Sequence, residues 1–231
     1  MRLNKFISES GICSRRQADA WIAEGRVQVN GSLAELGTQV GEGDRVEVDG
    51  QPVQARNEFV YIALNKPAGI TCTTERHIEG NIIDYVNHPQ RIFPIGRLDK
   101  DSDGLILLTN NGDIVNELLR VENHHEKEYL VTVDRPVTED FLFGMAHGVD
   151  IGGERTRPCA VRRLGRNAFG IILTQGLNRQ IRRMCAVFEF KVRRLQRVRI
   201  NNITLAGLAI GKWRELGAGE LRGLLPQRTR W

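Results

Sequence analysis

The chain has 231 residues, of which 41% are hydrophobic and 26% are charged, a composition that allows a sizeable core in one or two domains. The sequence has no apolar run of membrane-spanning length, no secretion-type apolar stretch near its first residue, and four scattered cysteines without a C-x-x-C pair. These features argue against a membrane protein, a disulfide framework and a cysteine zinc site, and we expect a protein of the reducing cytoplasm.

Two short helices are predicted at the start of the chain. Leu3, Phe6 and Ile7 have helical spacing and predict the first. Ser14 and Gln17 form a capping box that predicts the start of the second, which should end near the next glycine.

Short strands are predicted after these helices. Residues 27–29 read as a strand that enters a tight Asn-Gly turn, and residues 45–50 alternate as an exposed edge strand would. Residues 52–58 are polar and lack periodicity, which favours a linker. We therefore take residues 1–51 as a first domain and residues 59–231 as a second.

The first domain resembles the S4 RNA-binding module in its two helices, its small strands and the segments SRRQAD, GRVQVNG and GDRVEVDG. In that module the second helix and the following loop face RNA, so the resemblance implies RNA contacts by Arg15, Arg16 and Arg26. The alternative is that these arginines only solvate the helix.

Positive charge is concentrated in the last third of the chain. Residues 155–231 contain 18 Lys and Arg against 3 Asp and Glu, whereas residues 51–154 contain 9 against 17. Most of the basic residues are arginines, whose planar guanidinium suits phosphate oxygens and stacked bases. This distribution predicts a nucleic-acid partner, and the alternative is a solvated basic face on an ordinary protein.

The second domain is predicted to be α+β, with a largely antiparallel mixed sheet and flanking helices, because regular βαβ alternation is rare along it. Strands are predicted at residues 60–64, 105–108, 129–133, 160–163, 169–173 and 198–203, and helices at residues 80–89, 113–119 and 181–188.

A turn-rich polar segment, residues 93–104, breaks abruptly into the apolar run LILL. That run has the length of a buried strand, so Asp99 should lie on a loop at the mouth of a rigid sheet, with Arg97 two residues before it. A carboxylate held in this way is well placed to be a reactive group.

Two other interpretations of this segment compete with that one. Asp99, Asp101 and Asp103 fit the start of a calcium loop, but the twelfth position is Asn110, which cannot supply the bidentate carboxylate that calcium requires. The other alternative is a solvated acidic turn.

Four ordered segments decide between these interpretations: LNKPAGI from residue 64, GRLDKDSDGLILLTNNG from residue 96, KEYLV from residue 127 and GLNRQIRRM from residue 176. Together they resemble the pseudouridine synthases that act on bacterial ribosomal RNA, in which G-R-L-D carries the catalytic aspartate. The resemblance implies Asp99 as that aspartate and Arg182 as its ion-pair partner. Ser102 departs from the threonine that family members often have.

The family reaction breaks the N1–C1′ bond of uridine, turns the base and rejoins it through C5. It involves no redox change, so we expect no cofactor or metal. A single carboxylate suffices whether it attacks C1′, attacks C6 or removes a sugar proton, and these routes stay open. Arg182 would favour the ionised form of Asp99 in a water-excluding pocket; the alternative for Arg182 is a phosphate contact.

Tyr129 is the predicted stacking surface for a uracil turned out of the RNA, and it could take part in moving the C5 proton. Its alternative role is that of a half-buried strand tyrosine. Arg97 could fill the space that the base vacates or simply hold its own loop.

The remaining RNA contacts follow from the same segments. Arg179 and Arg183 flank Arg182 and are predicted to bind RNA. Lys66 could steady a phosphate or the nearby backbone, and Leu195 could cover the flipped uracil.

The sequence thus predicts a monomeric, cytoplasmic RNA isomerase. Within the family, HEKEYLVTV and QGLNRQIRRMC are most similar to the large-subunit synthases of the F type, which implies 23S ribosomal RNA and a tRNA anticodon as substrates. The alternative is a non-catalytic RNA-binding or ribosome-assembly factor.

Overall fold

The computed structural model describes residues 1–54, 58–119 and 125–225. The chain forms two compact units. The first contains residues 1–60, 88–92 and 110–112, and the second contains the rest of the described chain. The predicted domain limits at residues 51 and 59 stay predictions, and residues 55–57 of the predicted linker lie outside the described residues.

Both predicted helices of the first unit are present, as α1 (Leu3–Glu9) and α2 (Arg15–Ala23). The Ser14 hydroxyl accepts a hydrogen bond from the Gln17 backbone N–H at 3.1 Å, as the capping pattern predicts. The two helices bury Leu3 and other apolar side chains in a small core of their own.

A four-stranded sheet completes this unit, in the order β2 (Ser32–Leu33), β1 (Val27–Val29), β3 (Val46–Val48) and β4 (Gln51–Pro52). The prediction of an exposed edge strand at residues 45–50 was wrong, because β3 pairs with β1 on one side and with β4 on the other. Alternation of apolar and polar residues indicates which face of a strand is buried, but it carries no information on strand order.

The second unit is built on a mixed sheet in the order β13-β5-β7-β11-β8-β10-β9, with β12 pairing with β11 and β6 pairing with β7. Among the strand pairs of the described chain, β7 with β11 is parallel and the others are antiparallel, which confirms the predicted α+β class. The strands are β5 (Tyr61–Lys66), β6 (Phe93–Ile95), β7 (Asp103–Thr109), β8 (Lys127–Val133), β9 (Ala160–Gly165), β10 (Ala168–Leu173), β11 (Val192–Ile200), β12 (Ile203–Thr204) and β13 (Trp213–Glu215).

Strand β7, which contains the LILL run, is buried along its whole length. Strand β5 covers one edge of β7 from Gly104 to Thr109. Strand β11 pairs with Asp103 and Gly104 on the other edge, and β6 takes over that edge from Leu107 onward. Since β6 and β11 share one edge of β7, they must diverge, and a space opens between them.

Helices flank this sheet. Residues of α4 and α7 join strand residues in one apolar core that includes Leu105, Leu107, Ile114 and Leu221. The helices are α3 (Ile82–Val86), α4 (Asp113–Leu119), α5 (Glu139–Ala146), α6 (Gln180–Val187) and α7 (Ala218–Leu224). No helix in the described ranges is long and apolar enough to cross a bilayer.

One predicted strand had the wrong limits. A strand was predicted at residues 198–203, whereas β11 already begins at Val192 and ends at Ile200. Asn201, with φ of 47°, then turns the chain into β12. The arginines early in β11 made the segment look like loop or surface, and the left-handed asparagine is the turn signal that the prediction overlooked.

Candidate active site

A cleft of about 910 Å³ lies in the second unit, where β6 and β11 diverge. Its walls come from the 96–100 loop, β6, the cleft-facing side chains of β8 and β11, and the loop before α6. The residues predicted from sequence that line it are Arg97, Asp99, Tyr129, Arg179 and Leu195.

Asp99 lies on the loop between β6 and β7, as the sequence predicts. Its backbone carbonyl accepts a hydrogen bond from the Ser102 N–H at 3.1 Å, which forms a tight turn directly before the buried strand. The carboxylate is 28% exposed. It is therefore held by rigid backbone while remaining open to the cleft.

Arg182, in the first turn of α6, approaches this loop at several points. Its Nε lies 3.8 Å from Asp99 Oδ2, which is the ion pair expected from the sequence. Its Nη2 donates to the Asp101 carbonyl oxygen at 3.2 Å and to Ser102 Oγ at 3.0 Å. Two neutral acceptors thus fix the guanidinium while its Nε faces the carboxylate.

Arg179 makes a second cationic contact with the loop. Its guanidinium donates to both carboxylate oxygens of Asp101, at 3.2 and 3.1 Å, and its Nη1 lies 3.5 Å from Asp99 Oδ2. The hydrogen bond from Arg179 keeps the pKa of Asp101 below its usual value. Arg179 precedes α6 as its N-cap residue, with a left-handed φ of 48°, so helical spacing in the sequence gave no signal for this contact.

The three aspartates of the possible calcium loop each face an arginine. Asp99 and Asp101 pair with Arg179 and Arg182, and Asp103 pairs with Arg194 at 2.8 Å. The carboxylates are therefore held by guanidinium groups, and the described residues contain no cluster of three or more potential metal ligands.

Tyr129 and Leu195 lie on neighbouring strands of the cleft, β8 and β11, and are 9% and 5% exposed. Their surfaces face the cleft from the side of the sheet. Arg97 is exposed and lines the cleft.

Lys66 requires a correction. Its side chain is fully buried, and its ammonium donates to the carbonyl oxygens of Pro67 and Ile70 at 2.9 Å each, so it cannot contact RNA. Burial lowers its pKa. The turn that Lys66 holds includes Gly69, whose N–H donates to the Lys100 carbonyl oxygen at 2.7 Å, so Lys66 is linked to the 96–100 loop through the backbone.

Arg183 differs from its neighbours on α6. Its guanidinium donates to the Ile151 carbonyl oxygen, and it is absent from the residues that line the cleft. At least one of its N–H groups is therefore used inside the protein, and its predicted contact with RNA stays a prediction.

The three arginines predicted to bind RNA in the first unit have different surroundings. Arg15 and Arg16 are exposed and make no ion pair within the described ranges. Arg26 pairs with Asp49 at 2.6 Å and with Glu24 at 3.2 Å, and its guanidinium lies 5.1 Å from the centre of the Trp21 ring. Arg15 and Arg16 are the pair more open to a phosphate.

Family models match both units. A model described as RNA pseudouridylate synthase matches residues 60–187, more than half of the chain, and an S4 domain model matches residues 1–46. The chain belongs to the RNA pseudouridylate synthase family. The prediction of an isomerase that makes pseudouridine in RNA is thereby confirmed, and nothing in these matches supports the alternative of a non-catalytic factor.

Relatives of this RNA pseudouridylate synthase support the same conclusion. The chain is 56% identical to the dual-specificity RNA pseudouridine synthase RluF of Escherichia coli, over 96% of this chain and 77% of that protein, which confirms the resemblance to the F type. It is 35% identical to the ribosomal large subunit pseudouridine synthase B of Bacillus subtilis, over 96% and 95% of the two chains. A crystal structure of a pseudouridylate synthase superimposes with a TM-score of 0.72 at 30% identity, covering 97% of this chain and 99% of that one.

Proposed function

We propose that this synthase isomerises uridine in 23S ribosomal RNA and also accepts a tRNA anticodon. Two relatives support the proposal: one is a dual-specificity enzyme, and the other acts on the large ribosomal subunit. The protein would act in the cytoplasm as a monomer.

Asp99 is the catalytic carboxylate in this proposal. The observation that carries it is the position of Asp99 in the cleft, where Arg179 and Arg182 approach one carboxylate oxygen at 3.5 and 3.8 Å. The anionic carboxylate is the form that can attack carbon or take a proton, and both guanidinium groups lie within ion-pair distance of it. Arg182 has a second task, since its bonds to Asp101 and Ser102 keep the loop in one conformation.

The target uridine must leave its stack to reach a carboxylate inside a cleft, so base flipping is part of the proposal. The cleft is large enough for a nucleoside, and Tyr129 and Leu195 supply an aromatic and an aliphatic surface for the extruded ring. Arg97, exposed beside the cleft, would occupy the gap left in the RNA.

Binding to the rest of the RNA falls to exposed cations. Arg15 and Arg16 of the S4 domain supply exposed guanidinium groups for phosphate oxygens. Arg26 contributes less, because two carboxylates already compete for its guanidinium.

The experiment maps pseudouridines in ribosomal and transfer RNA from cells that lack the protein, and from the same cells carrying the wild-type chain or Asp99→Asn. We expect at least one site in 23S RNA and one in a tRNA anticodon to disappear, to return with the wild type and to stay absent with Asp99→Asn. If Asp99→Asn restored the missing pseudouridines, the catalytic role of Asp99 would be refuted. If the only missing pseudouridine lay in 16S RNA, the proposed 23S and tRNA substrates would be refuted.

A further inference from the structure

Arg197 is a buried cation that the function described so far does not use. It lies on β11 directly opposite Tyr129 of β8, so the two side chains project from the same face of the sheet. Both line the cleft, yet Arg197 is only 4% exposed. Its Nε donates to the Leu105 carbonyl oxygen at 2.6 Å, which anchors the guanidinium against β7.

One nitrogen of this guanidinium is unsatisfied. Its Nη2 is buried without a hydrogen-bond partner, and no carboxylate in the described chain pairs with it. Arg179, Arg194 and Arg199 differ from Arg197, because all three are paired with aspartate or glutamate. A buried charge without a counterion is costly, and a buried N–H group without an acceptor suggests that a ligand supplies one.

Lys127 makes the same part of the cleft more positive. It lies two residues from Tyr129 and lines the cleft, and its ammonium donates to the His125 carbonyl oxygen at 3.2 Å. Burial, and to a lesser extent Arg197, lower the pKa of Lys127. This region therefore favours a ligand that carries or acquires negative charge.

We propose that Arg197 is a further catalytic residue, whose guanidinium donates a hydrogen bond to a carbonyl oxygen of the flipped uracil and stabilises the negative charge that the base acquires. This inference rests on the proposed function in one respect, namely that the target uracil enters the cleft beside Asp99.

The electron balance of the reaction explains why such a donor is needed. When the N1–C1′ bond breaks, its electron pair stays on the uracil, which becomes an anion delocalised over N1 and the carbonyl oxygens. The pair returns when C5 bonds to C1′. The C5 proton then passes to a base and N1 takes up a proton, so the product is an isomer of uridine with no net gain or loss of protons or electrons. If Asp99 adds to C6 first, the negative charge reaches the O4 oxygen, so each open route places charge where an arginine can stabilise it.

The test is a leaving-group comparison with Arg197→Gln. The probe is a transcript of the RNA identified by mapping, with either uridine or a single 5-fluorouridine at the target position, and nucleoside consumption is followed under single turnover with saturating enzyme. Fluorine withdraws electrons and stabilises the uracil anion by itself, so it should replace part of the stabilisation of negative charge that Arg197 provides. We expect Arg197→Gln to lower the single-turnover rate by about 100-fold or more with the uridine RNA. With the 5-fluorouridine RNA, the fold decrease in rate should be smaller by a factor of at least about three.

Arg199→Gln is the matched control, because Arg199 lies two residues further along the same strand, is paired with Glu126 and Glu128 and does not line the cleft. Its single-turnover rate should stay within about threefold of wild type with both RNAs. Equal losses for Arg197→Gln with the two RNAs, or a rate within about threefold of wild type, would overturn the proposal.

A second variant covers the case in which Arg197→Gln does not fold. Arg197→Lys keeps the positive charge, and its single-turnover rates with the two RNAs are compared in the same way. A smaller fold decrease in rate with the 5-fluorouridine RNA supports the proposal, and equal decreases with the two RNAs overturn it. Asp99→Asn separates this result from the proposed function, since activity in that variant would refute the role of Asp99 while leaving the test of Arg197 intact.

Discussion

Ser102 shows how a single side chain positions Arg182, the proposed partner of Asp99. It is fully buried, and its hydroxyl accepts a hydrogen bond from Arg182 Nη2 at 3.0 Å. Threonine, which often occupies this position in the family, carries the same hydroxyl, so the exchange preserves the acceptor. The resemblance of this segment to the family implied Asp99 and Arg182, but the contact between Ser102 and Arg182 spans 80 residues and no local pattern reveals it.

Arg182→Met should separate chemistry from binding. Methionine keeps an unbranched apolar stem but removes the charge beside Asp99, so we expect the single-turnover rate to fall by about 100-fold or more. The affinity for RNA should change by less than about threefold, because the guanidinium is directed at the loop and is 14% exposed.

Arg163→Met is the control for this change, because Arg163, on the edge strand β9, pairs with Glu139 of α5 and does not line the cleft. Its rate and affinity should match those of wild type. If Arg182→Met weakened RNA binding as much as it slowed the reaction, Arg182 would be a phosphate contact.

Arg197 could not be identified from the sequence for a physical reason. A buried arginine and an exposed one look identical in a basic stretch, and only the pairing of β11 with β8 brings this one opposite Tyr129. The same limit explains the wrong prediction for Lys66, whose burial depends on β5 being an inner strand of the sheet.

At the scale of elements, the parallel contact between β7 and β11 brings the two halves of the site together. The apolar run predicted β7 and its position after Asp99, because this information is local. The pairing of β7 with a strand some 90 residues later is non-local, and no residue pattern announced it. Gly104 lies directly opposite Arg197 in this contact.

Gly104→Ala should disrupt this contact. A Cβ at position 104 would lie 2.8 Å from the Arg197 backbone nitrogen and closer still to its carbonyl oxygen, and the φ of +108° is itself unfavourable for alanine. We expect the free energy of unfolding to fall by about 2 kcal/mol or more, measured by urea denaturation.

Gly112→Ala provides the comparison, since a Cβ there would meet no heavy atom within 4 Å and the backbone is not left-handed. Its stability should stay within about 0.5 kcal/mol of wild type. A Gly104→Ala protein as stable as Gly112→Ala would show that β7 and β11 are not packed as described.

The ion pair between β8 and β11 makes stability depend on pH. The hydrogen bond from Arg199 to Glu128, at 2.9 Å, keeps the pKa of Glu128 below its usual value of 4.5. The pair therefore stabilises the fold fully above pH 4.5, and its contribution disappears as the pH falls through the lower folded-state pKa.

Arg199→Gln removes this contribution. Near pH 7 we expect the variant to unfold with about 1 kcal/mol less free energy than wild type. The difference should shrink when calorimetry is repeated at successively lower pH below 4.5. A difference that grew on acidification would contradict the assignment of the shift to this pair.

At the scale of the whole molecule, the charge asymmetry along the chain is largely matched within the second unit. Aspartates of the 99–103 segment pair with Arg179, with Arg182 of α6 and with Arg194 of β11. Glu128 pairs with Arg162 and Arg199. Counting the arginines of the last third of the chain therefore overestimates the positive charge that is available to bind RNA. Many of these guanidinium groups are paired with carboxylates of the acidic middle third.

The S4 domain should contribute affinity through Arg15 and Arg16. Replacing both with glutamine should weaken binding and reduce the slope of log affinity against log salt by about 0.7 to 0.9 for each RNA phosphate that the variant no longer neutralises. The single-turnover rate at saturating enzyme should not change.

Arg45→Gln serves as the control, because Arg45 is exposed but paired with Glu47. An unchanged salt slope for the double variant would refute the predicted role of Arg15 and Arg16.

The most direct test compares two carboxylates of one loop, Asp99 and Asp101, under single turnover with the mapped RNA. Asp101 is 50% exposed and pairs with the same two arginines, so Asp101→Asn disturbs the surroundings without removing the proposed reactive group. We expect Asp99→Asn to form no measurable pseudouridine while still binding RNA, and Asp101→Asn to keep its rate within about tenfold of wild type. Pseudouridine formation by Asp99→Asn at a rate comparable to that of Asp101→Asn would contradict the account.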